Sequence, residues 1–290
     1  MTSQTSALVP SSSDTPRPVG AWSAAARIFD LSLGEMRWSR RTIFMALVVG
    51  LPVVVALVLR LLVEAGAPVM RMGRAQVPGS VVFGLMMWIF FVRFGVPVLA
   101  IFYGTALIGD EVDDKTITYL FTRPIPRGAV LLGKYLAYLA CTILVVLPAV
   151  TLAWLLLAPI NDSLAKNFIP LVKDLGLLAV GLAAYGAVFA FVGAAFKRPL
   201  VFGMGFVFGW EVLLLALPGY LKHFTIAYYL QSLVPHEAPP TRFVEFLRMV
   251  AGLDAAPTPF ESLASLGIIA ALALWAGARA VARRDYVLDQ

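Results

Sequence analysis

The stretch VFGLMMWIFFVRFGVPVLAIFYGTALIG, residues 82–109, holds one charged side chain, Arg93, in 28 positions. A helix crossing the roughly 30 Å of bilayer hydrocarbon needs about 20 apolar residues. This run, at about 1.5 Å per residue, would be roughly 42 Å long. It must therefore tilt, kink or project beyond the hydrocarbon, and Pro97 is the expected kink point. Five more apolar runs have spanning length: 43–63, 130–157, 172–196, 199–217 and 262–281. Little more than Lys197, Arg198 and Pro199 separates the fourth span from the fifth, so these two form a tight helical hairpin. The expected fold is an all-α integral membrane protein with six transmembrane helices.

Composition points the same way. Of 290 residues, 60 % are hydrophobic and 14 % charged, and the mean hydropathy is +0.85. Soluble domains carry about 25 % charged residues, and a soluble chain this poor in charge would be covered in sticky patches. A soluble enzyme, a disordered protein and a disulfide-stapled secreted domain are all excluded. Cys141 is the sole cysteine, which rules out an internal disulfide and a CxxC site. His223 and His236 are the two histidines, and neither belongs to an HExxH pattern. No metal site, no catalytic residue and no cofactor in this chain are expected.

The basic excess, net +6, suits anionic lipid and the positive-inside rule rather than nucleic acid. With six spans and both termini on one side, that side carries 14 Lys and Arg residues and the other carries 7, with Arg60 and Arg93 inside spans. The bias places both termini in the cytoplasm.

Outside the spans, residues 1–20 are rich in Ser, Thr and Pro and read as a flexible tail without signal-peptide pattern. Residues 21–290 form a single membrane domain. It opens with an amphipathic helix over 21–42, where Trp22, Ala25, Ala26, Phe29, Leu33 and Met36 follow a 3.6-residue stripe. Such a helix lies in the inner interface. Residues 110–129 are a polar cytoplasmic loop. Residues 218–260 form an external helical hairpin between the fifth and sixth spans, with PHEAPP as its turn. No internal repeat is evident.

Several local patterns carry candidate chemistry. Gly128 to Lys134 spell GxxxxGK, but the next residue is Tyr135 where a phosphate loop needs Ser or Thr for magnesium. The pattern instead starts a helix, and the chain is not expected to hydrolyse ATP. Asp110, Glu111, Asp113 and Asp114 crowd into five positions, with no second acidic cluster to face them across metals. They read as a solvated loop or a docking segment. Arg93 and Glu211 are ionisable groups inside the second and fifth spans. Either they pair inside the bundle, or Arg93 snorkels or lines a cavity alone. Gly205 and Gly209 have the GxxxG spacing of close helix packing, within the chain or across a dimer.

The stretch GDEVDDKTITYLFTRPIPRGAVLLGKYLAYL, residues 109–139, resembles a signature of permeases of the ABC-2 export class between their second and third membrane helices. Glu111, Thr116, Ile117, Leu120, Pro124, Ile125, Arg127, Val130, Leu131, Lys134 and Tyr135 carry the likeness. The family commonly has Gly before the Thr, whereas this chain has Lys115. The interfacial helix, the six spans and the external hairpin match the family's architecture, and the nearest look is to permeases of nitrous-oxide-reductase maturation.

The resemblance implies the membrane subunit of an ATP-driven exporter in a bacterial inner membrane. Two permease copies, in the simplest case a homodimer, would pair with two separate ATPase subunits that bind ATP and Mg. The loop at 110–129 would seat in the ATPase as a coupling element. Asp110, Glu111, Asp113, Asp114, Thr116, Leu120, Pro124 and Arg127 would be its coupling residues. Glu111 and Arg127 would lock the elbow by charge-assisted hydrogen bonds, and Pro124 and Pro126 would set its turns. The second and fifth spans would line the dimer cavity. The competing readings are a secondary transporter, which predicts inverted repeats, an intramembrane lipid-modifying enzyme, which needs catalytic residues, and a passive scaffold. The substrate is not legible in the sequence.

Overall fold

The computed structural model describes residues 40–72, 75–113, 127–217, 220–235 and 257–283. Among the described residues five helices are long and apolar enough to cross a membrane: Ile43–Glu64, Gly79–Gly109, Gly128–Leu157, Leu164–Ala195 and Pro259–Arg283. The run at 199–217 forms a shorter apolar helix, Pro199–Leu215. The interfacial helix expected over 21–42 lies outside the described residues up to position 39, and Arg40 already belongs to the first long helix.

That helix, α1 (Arg40–Glu64), bears a stripe of exposed apolar side chains: Ile43, Leu47, Leu51, Val54, Val58 and Leu61. In water such a face would be a liability; against lipid it is solvated. A 3₁₀ turn at Pro68–Met70 leads into β1 (Arg71–Met72), which pairs antiparallel with β2 (Ala75–Gln76). Among the described residues this small ribbon is a departure from helix that the all-α expectation did not contain.

The second span is a chain of pieces. α2 (Gly79–Met86) runs into a π-helical stretch, Met87–Gly95, then α3 (Val96–Gly104) and α4 (Ala106–Asp113). The π-helical stretch ends two residues before Pro97, the expected kink point. Val96 N–H bonds to the Phe91 carbonyl, five residues back, immediately before the proline that cannot donate. A second break falls at Thr105, whose hydroxyl turns back to the Ile101 carbonyl at 2.6 Å.

α5 (Arg127–Leu157) and α6 (Leu164–Ala195) run uninterrupted for 31 and 32 residues. α6 starts eight residues before the apolar run that begins at 172. Asn167 lies in its first turn, and the Asp162 carboxylate supports that turn by accepting from Ser163 N at 2.7 Å and Asn167 Nδ2 at 3.0 Å. α6 is the axis of the bundle and packs against α3, α5 and α10 (Pro259–Arg283). The contact is close because glycines face bulk: a Cβ on Gly193 would sit 2.4 Å from the Thr105 carbonyl oxygen, and one on Gly186 2.2 Å from the Tyr138 ring. Without a hydrophobic force between helices in lipid, such packing and interhelical hydrogen bonds hold the bundle. Tyr135 and Tyr138 add two, to the carbonyls of Ala183 at 2.9 Å and Leu182 at 3.1 Å.

The fifth run divides into α7 (Pro199–Met204), a second π-helical stretch, Gly205–Glu211, and α8 (Val212–Ala216). After a 3₁₀ turn, Tyr220–Phe224, comes α9 (Ile226–Ser232). The part of the expected 218–260 hairpin that precedes PHEAPP is thus interrupted at Thr225, an extended N-cap whose Oγ1 accepts from Tyr228 N at 3.3 Å. The rest of the expected hairpin, 236–256, lies outside the described residues. α10 begins with a capping box: Thr258 Oγ1 accepts from Glu261 N at 3.3 Å, and Glu261 Oε2 accepts from Thr258 N at 2.9 Å.

The helices sort the chain to two ends. At one end Gly79 N donates to the Ile160 carbonyl at 2.8 Å and the Ser80 hydroxyl donates to Asp162. At the other, Gly109 approaches Pro199, Gly128 approaches Ala278, and the Phe44 and Phe102 rings lie 4.5 Å apart. The start of α1, the end of α10 and both flanks of the 110–129 segment share that second end.

Candidate functional site

The two π-helical stretches face each other across a cavity of about 270 Å³. π-Helical turns are rare and are frequently found at functional sites. Here each contributes one ionisable side chain to the wall, Arg93 from the second span and Glu211 from the fifth. Ile89, Val92, Phe94, Pro97, Val207, Phe208, Val212 and Leu215 supply the apolar surface. Tyr185 from α6, with Ala227, Leu230 and Gln231 from α9, closes the remainder.

Glu211 is buried, 3 % exposed, and its carboxyl group is fully engaged. Tyr185 donates its hydroxyl hydrogen to Oε2 at 2.5 Å. Ile226 N and Ala227 N donate to Oε1 at 3.0 and 3.3 Å. Those two amides open α9 and have no partner within their own helix. The side chain from the fifth span therefore satisfies both and ties α9 to α6. An unsatisfied buried carboxyl would be costly here, and three donors from two elements remove that cost.

Arg93 is disposed differently. It is exposed and lies near the middle of the long Gly79–Gly109 helix. Its guanidinium sits 5.4 Å from the centroid of the Trp88 ring. Among the described residues Arg93 makes no hydrogen bond and no ion pair. The fold thus places Arg93 and Glu211 on one cavity, yet the carboxyl group turns to Tyr185 and α9 instead of to Arg93.

Of the coupling residues, Asp110, Glu111 and Asp113 lie on α4, and Arg127 opens α5; only their backbones are described. Asp114, Thr116, Leu120 and Pro124 lie outside the described residues. No His, Cys, Asp or Glu group fit to hold a metal ion occurs among the described residues. Sequence reasoning missed Tyr185 and Gln231. Tyr185 did leave a signal: it is the sole side-chain hydroxyl in the apolar run 172–196. Gln231 left none, being one polar residue in an irregular external segment.

Residues 26–279 match a family model described as "ABC-2 family transporter protein". No curated protein matches the chain.

Proposed function

The chain belongs to the ABC-2 transporter family, and on that premise we propose that it is the permease subunit of an ATP-driven exporter whose ATPase is a separate protein. It is a multi-pass membrane protein. In the proposed arrangement six helices cross a bacterial inner membrane and both termini face the cytoplasm. Two copies, as a homodimer, work with two ATPase subunits that bind ATP and Mg. The family match across 26–279 carries this reading.

The geometry supports a specific coupling route. Residues 110–113 belong to α4 and residues 127–129 to α5. Leu107 and Ile108 on α4, and Ala129, Val130 and Leu131 on α5, are buried in the bundle. A push on the segment would therefore move packed helices and not a tether. ATP binding in the partner displaces 110–129, the second and third spans follow, and the cavity between copies opens outward. The shared end of the start of α1, the end of α10, the 197–198 turn and the flanks of this segment fits the side richer in Lys and Arg. The finer likeness, to permeases of nitrous-oxide-reductase maturation, rests on the 109–139 motif and the architecture.

The test is affinity purification of the tagged chain from native membranes in mild detergent, with mass spectrometry of its companions. A stoichiometric P-loop ATPase that crosslinks to 110–129 is expected. Its absence across several detergents would overturn the reading. The secondary-transporter alternative, which draws on Arg93 and Glu211 sharing one cavity, would then lead.

A further inference from the structure

We propose that the cavity between the two π-helical stretches is a binding site for an amphipathic anion, whose acidic group is held by Arg93 and whose apolar part lies against Ile89, Phe94, Phe208 and Val212. The inference rests on the permease reading for its purpose, since such a molecule would be the exporter's cargo or a regulator of it. The site itself stands on the geometry.

The argument begins with the unequal treatment of two opposite charges. A carboxylate and a guanidinium on one cavity would ordinarily neutralise each other. Here Glu211 is withdrawn from that role, because Tyr185 and the amides of Ile226 and Ala227 occupy both of its oxygens and it is buried. Arg93 is left with the Trp88 ring and no acceptor among the described residues. It stands 14 residues from Gly79, roughly 21 Å along the helix, too deep to reach either surface cheaply. A guanidinium at that depth is costly unless it faces water or an acceptor. Its five donors in a planar fork match a carboxylate or phosphate. The acceptor must come from outside the fold, and the walls around Arg93 select one attached to hydrocarbon.

Volume narrows the class further. At about 30 Å³ per water-sized group, a cavity of about 270 Å³ admits an acidic head and the first several methylenes. A longer chain must extend out between the helices into the bilayer. The second and fifth spans expose Leu85, Phe94, Phe202, Phe208 and Val212, an apolar surface along which such a chain can run. A free fatty acid and an anionic phospholipid share this chemistry.

The experiment uses the full chain alone in phosphatidylcholine nanodiscs, so it does not depend on an ATPase partner. Three diazirine-bearing probes are compared: hexadecanoic acid, hexadecanol and phosphatidylglycerol. Labelled residues are mapped by mass spectrometry. The acid is expected to label Phe94, Phe208 or Val212 about tenfold more than the alcohol, the ratio that one charge-assisted hydrogen bond supplies. Arg93→Gln should bring the acid down to the alcohol's level, and Arg93→Lys should keep most of the labelling. Labelling by the acid alone identifies a free amphipathic acid, and labelling by phosphatidylglycerol as well identifies a lipid headgroup; either supports the site. Equal labelling by acid and alcohol, full labelling of Arg93→Gln, or labels confined to other helices would overturn it. The acid-to-alcohol comparison on the unmodified chain decides the matter if Arg93→Gln does not fold. Failure here with an ATPase still copurifying would sink the ligand site and leave the permease reading intact.

Discussion

Tyr185 and Glu211, 26 residues apart in sequence, meet at 2.5 Å inside the bundle, the phenol donating to the carboxyl oxygen. Because the other oxygen of Glu211 accepts from the first two amides of α9, one side chain joins the fourth span, the fifth span and the external helix. A carboxyl held from three directions is a structural knot beside a cavity that otherwise looks built for ligand.

The first prediction follows from that knot. Tyr185→Phe leaves a buried oxygen without its donor and should cost about 1–3 kcal/mol. Glu211→Ala frees the two α9 amides and should raise hydrogen exchange across 226–232. The double variant should be less destabilised than the sum of the singles, since both act through one contact. Thermal unfolding in a fixed detergent, with exchange read by mass spectrometry, checks this. Unchanged protection of 226–232 in Glu211→Ala would mean that the carboxyl does not hold α9.

The second concerns acid. Hydrogen bonds from Ser80, Asn167 and the Ser163 amide hold the Asp162 carboxyl down at about 2, against an ordinary 3.8. The folded value is below the unfolded one, so this junction stabilises fully above about 4 and loses its contribution as pH falls toward 2. The melting-temperature gap between the parent chain and Asp162→Asn should be constant from neutrality to about pH 4 and shrink between about 4 and 2. A gap that persists below that window would show that the charged form is not what Ser80 and Asn167 favour.

Glycines separate packing inside the chain from packing outside it. A methyl on Gly193 would drive into the Thr105 carbonyl, whereas one on Gly205 or Gly209 meets nothing within 4 Å. Gly193→Ala should cost about 1–3 kcal/mol, measured as a lower unfolding temperature. Gly205→Ala and Gly209→Ala should leave the unfolding of the single chain unchanged. If they weaken association of two copies in crosslinking, the GxxxG face is a dimer seam; if not, it faces lipid.

The coupling segment makes the fourth prediction. Glu111→Ala and Arg127→Ala should reduce stimulation of the partner ATPase at least several-fold while size-exclusion profiles stay unchanged. Full stimulation in both variants would remove these residues from the coupling route.

Parts of this were legible before any coordinates. The capping box at Thr258 and Glu261 is a local pattern, T-x-x-E ahead of an apolar run, and sets the start of α10 three residues before the apolar run at 262. The start of α6 was less legible, because Lys166, Asn167 and Pro170 interrupt its apolar residues and its first turn is held by the Asp162 carboxylate. The break of the fifth run at 205–211 left no mark that distinguishes a π-turn from an ordinary glycine-rich membrane helix.

What the sequence by itself determined is the solvent. Apolar length, charge scarcity and the Lys and Arg bias are sums over neighbouring residues, and the cost of placing them in lipid or water depends little on what they later touch. It also singled out Arg93 and Glu211, since an ionisable group in a span is conspicuous wherever it points. Which of the two would be satisfied by the fold was decided only in three dimensions. Tyr185 and the α9 amides reach Glu211 through the crossing of α6 with the fifth run, and Arg93 finds no such neighbour among the described residues. A hydrogen bond forms over about 3 Å, and no one-dimensional pattern specifies a distance that short between helices packed by side chains far apart in the chain.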